Sequence, residues 1–91
     1  MDGFTVRYNM KDRTLERNPK ISVGTEDKGA VVVSIVIDRY GNVKSAVPGA
    51  PGSTTSNTYL YTKAELAAKS AKFSQNLKGP LETEGTITII Y

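Results

Sequence analysis

The strongest hydrophobic signal runs from Ala30 to Ile37, where Val31, Val33, Ile35 and Ile37 share one face and Val32 and Val36 make the other face mostly apolar. Such a run predicts a central strand. Asp38-Arg39-Tyr40-Gly41-Asn42 follows, with Asp where a type I turn begins and Gly where the chain needs positive φ to rejoin a ladder. A hairpin results, with Asn42 to Val47 returning as the second strand until Pro48 removes a donor. Residues 48 to 56 are a Pro-, Gly- and hydroxyl-rich loop. Leu60, Ala64, Ala67, Ala68 and Ala71 then recur at helical spacing, while Lys63, Glu65, Lys69 and Lys72 fall off that stripe. Small residues on the apolar face let the helix lie close to a sheet. Its start has two readings: Asn57 as cap, or a later capping box of Thr62 and Glu65.

Gly79-Pro80 breaks the chain after Phe73, and Thr83 to Tyr91 reads as the last strand, with Ile87, Ile89 and Tyr91 on one face. Upstream, Phe4 to Tyr8 alternates as a short strand, Lys11 to Lys20 is charged and irregular, and Asn18-Pro19 is turn-prone. A second polar stretch spans Gly24 to Gly29. The predicted fold class is α+β: an antiparallel sheet of three to four strands with one helix packed on one face, in ββαβ order.

With 91 residues the chain holds one compact core, so residues 1–91 are read as a single domain. Lys and Arg exceed Asp and Glu by 12 to 9, a mild tilt toward acidic partners. Cysteine and histidine are both absent, which removes thiolate and imidazole metal ligands, the usual general base near neutral pH and every Ser-His or Cys-His pair. The expectation is a non-enzymatic domain with no cofactor and no metal. Nothing in the sequence approaches a membrane-spanning run, and Met1-Asp2-Gly3 lacks signal-peptide character.

Four candidate chemistries have simpler explanations. The Gly49 to Thr55 loop lacks a P-loop lysine, and Pro48 and Pro51 remove amides a phosphate would need. Glu82 and Glu84 share a strand face as solvated charge rather than a catalytic pair. Asp38 and Asn42 fit turn chemistry, not a calcium loop. Lys63, Lys69, Lys72 and Lys78 with Tyr59 and Tyr61 lack the interleaved Gly and aromatic signature of an RNA-binding sheet, so nucleic acid is not an expected partner. The unusual segment is Thr86-Ile87-Thr88-Ile89-Ile90-Tyr91, which has no Lys or Pro to block edge pairing. Either it is an open edge that invites a partner strand, or it lies between two strands and its apolar faces are core.

Gly29, Val31, Val33, Ile37, Asp38, Gly41 and Val43 match the pattern GxVxVxxxIDxxGxV, followed by Asn57, Leu60, Ala64, Ala67, Ala68, Phe73 and the Gly85 to Tyr91 ending. In this order the residues resemble the TonB C-terminal domain family, in a version like that of Bacteroidetes. The resemblance covers about residues 29 to 91, with 1–28 a weakly matched N-terminal strand and loop. Asn18-Pro19-Lys20-Ile21 only partly matches the family's upstream segment, the aromatic motif after the helix is reduced to Phe73, and the first short helix is shortened or lost.

The resemblance implies a periplasmic domain of an energy transducer, anchored to the inner membrane through a region not included here. Such a domain captures the TonB box of outer-membrane transporters by β-strand addition, driven by inner-membrane proton-driven motor proteins. On that reading Ile87, Ile89 and Tyr91 anchor the last strand, and the main chain of Thr86, Ile87, Thr88, Ile89, Ile90 and Tyr91 receives the partner. By analogy Arg17, Asn18 and Pro19 assist. Two alternatives stand beside it: a TolA-like envelope-bridging domain and a basic nucleic-acid module. Exposed edges also permit a strand-exchanged homodimer.

Overall fold

The computed structural model describes residues 5–19 and 28–91. Phe4 of the predicted first strand, and most of the polar stretch before Gly29, lie outside the described residues. In chain order the elements are β1 (Thr5–Met10), β2 (Leu15–Arg17), β3 (Ala30–Asp38), β4 (Val43–Pro48), α1 (Thr58–Lys69), β5 (Lys72–Phe73) and β6 (Glu82–Ile90). The fold is α+β, with a four-stranded antiparallel sheet in the order β1-β6-β3-β4 and one helix packed against it.

Val31, Val33, Ile35 and Ile37 turn one face of β3 inward, and Ile87 and Ile89 continue that face on β6. Above it α1 lays Leu60, Ala64, Ala67 and Ala68 over β3 and β4. Three alanines in that stripe bring the helix backbone close to the sheet, so the core is thin but closed. Asn57 is the helix cap: its Oδ1 accepts from the Tyr59 amide at 2.8 Å and the Leu60 amide at 3.3 Å, so the earlier start holds. Thr62 lies within the helix and donates to Thr58 O. Glu65 pairs with Lys69 at 3.1 Å, one turn on, and Ala71 is buried just past the helix end.

The core over β1 and β6 is completed by a second, two-stranded sheet of β2 and β5. Phe73 of β5 is fully buried and meets the Tyr8 ring edge-on, with centroids 5.7 Å apart. β2 falls where the sequence reads as irregular chain, and Lys72 of β5 where the helical spacing reads on past the helix's end at Lys69, because two or three residues are too few to show a period. The hairpin turn is as the sequence reads it: Gly41 has φ +88°, and its amide donates to Asp38 O. The last strand, by contrast, is an interior one. Residues 86–90 pair with β1 on one side and β3 on the other, so the open-edge alternative does not hold.

Candidate functional site: the edges of the sheet

Hydrogen-bond parity along β3 fixes which backbone groups are spent. Ala30 and Val32 face the β4 side, where their carbonyls accept from Thr54 N and Ala50 N and their amides donate to Thr54 Oγ1 and Ser53 Oγ. Odd-numbered β3 residues therefore face β6, as the Tyr91 N to Gly29 O bond of 2.9 Å also requires. Carried across the ladder, Ile87 and Ile89 bond to β3, while Thr86, Thr88 and Ile90 bond to Asn9, Arg7 and Thr5 of β1. The main chain proposed to receive a partner is thus engaged on both sides.

The sheet's actual edges are β1 and β4. On β4 the outward positions include Pro48, which has no N–H, and Lys44 at an irregularity in the pairing with β3. Proline, lysine and a bulge are the usual means of blunting an edge. The turn before β4 is further covered by the Asn42–Lys72 bridge and by Phe73 N donating to Gly41 O. On β1 the outward backbone groups belong to Val6, Tyr8 and Met10, and among the described residues none has a partner. This strand contains no proline and no lysine. Four of its six residues are exposed, so it is the least buried of the long strands.

Arg17, Asn18 and Pro19 are placed elsewhere. Arg17 lies in β2, whose partner is β5 rather than β6, and its Nε donates to Ser70 O at the helix C-terminus. Asn18 is exposed and Pro19 buried. Arg17 and residues 86–90 belong to separate sheets, and Asn18 and Pro19 follow β2 outside any strand. The Val6–Met10 edge had a sequence signal, the alternation beginning at Phe4, but alternation reports faces and is silent on neighbours.

The remaining candidate groups are occupied locally. Ser53 and Thr54 extend the pairing of β3, and Tyr61 OH donates to Thr55 O, so the Gly49 to Thr55 loop spends its polar groups on the fold. Glu82 binds Lys44 at 2.9 Å across strands, an exposed pair that raises the lysine's pKa through that hydrogen bond. Lys63 lies over the Tyr59 ring, and Lys72 Nζ donates to Tyr40 O. The Asp38 carboxylate accepts from the Tyr40 and Asn42 amides. Chiefly through the Asn42 amide, its pKa is held below the ordinary 3.8. Tyr91 is half-buried with its hydroxyl unpartnered among the described residues, and burial raises its pKa.

Among the described residues no cluster of acidic, His or Cys side chains could hold a metal, and no helix is long and apolar enough to cross a membrane. A cleft of about 480 Å³ beside the hairpin turn is lined by Asp38, Arg39, Tyr40, Lys44, Leu81 and Glu82. Together the sheet and its β1 edge, free of proline and lysine, define a small α+β domain with a backbone surface suited to another strand. Neither a family model, nor a curated protein, nor a solved structure matches the chain.

Proposed function

We propose that this chain is a protein-binding domain that takes up an extended peptide as an added strand on the outer edge of β1. One observation carries this: the outward N–H and C=O groups of Val6, Tyr8 and Met10 are unpaired among the described residues, on a strand with neither proline nor lysine, Arg7 being its one charged residue. Three such residues offer about six main-chain hydrogen bonds, each contributing about 1 kcal/mol net. Set against the cost of ordering a peptide, that supports micromolar to millimolar affinity, with little demand on peptide sequence.

The finer reading follows from the resemblance. The partner is then the TonB box of an outer-membrane transporter, and the domain is the periplasmic part of an inner-membrane-anchored energy transducer. Its support is the pattern from Gly29 to Val43 together with the β3-β4-α1-β6 order. Reception at residues 86–91 would require β1 to leave, whereas the outer edge of β1 is available as the fold stands.

The test is an NMR titration of the labelled chain with a TonB-box peptide and with a scrambled peptide of equal composition. Capture at β1 shifts the amides of residues 5–10 most. Replacing Val6 with Pro removes an outward N–H, leaves the bonds to β6 in place and abolishes the response in a protein whose spectrum remains folded. Equal binding of both peptides would keep strand addition and remove the TonB-box assignment. An unshifted spectrum at millimolar peptide would sink both.

A further inference from the structure

The side chains that an added strand would meet follow from the alternation along β1. Val6, Tyr8 and Met10 lie on its core side: Met10 is buried, Val6 packs against the core and Tyr8 sets its ring edge-on to Phe73. Tyr8 is nevertheless 41% exposed, so part of this apolar strip stays open at the edge of the sheet. Thr5, Arg7 and Asn9 alternate with them on the opposite face, and all three are exposed. Arg7 is the strand's one charged residue, and among the described residues it has no ion-pair partner. Its neighbour across the ladder is Thr88, followed on the same face of β6 by Thr86 and Ile90, so β6 sets no carboxylate beside it.

The main chain of Arg7 is turned toward β6. Against an added antiparallel strand it therefore forms a non-hydrogen-bonded pair, the kind in which opposed Cα atoms stand only about 4.5 Å apart and side chains meet most closely. Val6 and Tyr8, whose outward groups take the main-chain bonds, face the peptide residues on either side of that position. A charge here also disfavours pairing with a copy of the same edge, since a second β1 centred on this position sets Arg7 against Arg7. Turning away a like strand and favouring an acidic one are the same electrostatic property.

Building on strand addition at β1, we infer that the edge prefers a segment carrying an acidic residue between two apolar ones. The acidic residue lies opposite Arg7, and the apolar ones lie opposite Val6 and Tyr8. The preference is a bias laid over main-chain binding, because a single cross-strand pair changes affinity by a small factor.

The test titrates labelled protein with blocked five-residue peptides that have threonine at both ends, valine at the second and fourth positions, and glutamate, glutamine or lysine at the centre. Shifts at residues 5–10 are expected, with the glutamate peptide binding about fourfold tighter than the lysine peptide and glutamine falling between them. Arg7→Glu should invert that order. Because Arg7 is exposed, the variant keeps the core, and an unchanged spectrum outside β1 verifies it. Serine in place of both valines should weaken the glutamate peptide about fivefold. If the three peptides shift residues 5–10 with equal affinity, or the serine variant binds as tightly as its parent, the inference is overturned while strand addition stands. If no peptide shifts residues 5–10, strand addition at β1 falls and the preference falls with it.

Discussion

The turn between β3 and β4 concentrates the strictest residue requirements. A β-carbon on Gly41 would stand 1.9 Å from Phe73 O, and the backbone there is at φ +88°. Gly41→Ala therefore combines a left-handed conformation with a backbone clash, and should cost about 3 kcal/mol in urea unfolding. Asp38 acts differently, because its effect depends on charge. Its folded pKa lies below the ordinary 3.8, so its stabilisation is present above that value and is lost as pH falls through the lower folded value. Unfolding midpoints measured from about pH 5 to about pH 2 should fall, and fall less in Asp38→Asn. The turn role of both residues is legible in the sequence, since Asp38 and the amides of Tyr40, Gly41 and Asn42 are a few positions apart, but the Phe73 carbonyl that crowds Gly41 is distant along the chain and is not legible. Arg13 is not: its acceptors lie 25 and 61 residues along the chain, and nothing local marks it.

At the scale of elements, hydrophobic period gave β3, α1 and β6 with their inward faces, because each is long enough to display one. It gave β4 as a strand with Val43, Ser45 and Val47 on one face, whereas Ala46 is the buried residue there and Val47 is exposed. Strand order was beyond it. The same alternating segment suits an edge or an interior position, and only the presence of β1 on its far side makes β6 interior. That pairing depends on Gly85, where a β-carbon would lie 2.5 Å from Met10 Cε and 2.6 Å from Asn9 O. Gly85→Val should push β1 away from β6 while leaving the β3–β6 ladder intact. The check is amide hydrogen exchange: Arg7 and Asn9, which bond to β6, should lose protection by about tenfold or more, with Val33 and Ile35 little changed. Equal loss across β3 would mean that β1 and the core unfold as one unit, and that its edge is not a separable surface.

Across the whole molecule, two kinds of surface compete for a partner. One is electrostatic: a net charge of +3, with lysines spread over the helix and the segments after it. The other is the main-chain edge of β1, whose outward groups carry no net charge. Salt separates them, since a Debye length of about 8 Å at physiological ionic strength shrinks to about 3 Å at 1 M and weakens exposed charge pairs far more than main-chain hydrogen bonds. The four lysines flanking the two helix tyrosines favour the first surface by composition alone, but Lys63, Lys69 and Lys72 are held by Tyr59, Glu65 and Tyr40 O. Peptide capture should therefore change less than about twofold in Kd between about 0.05 M and 0.5 M sodium chloride, as measured by calorimetry or NMR titration. A loss of tenfold or more over that range would transfer the interface from the β1 edge to the lysine-bearing face. Val6→Pro would then leave binding unaltered.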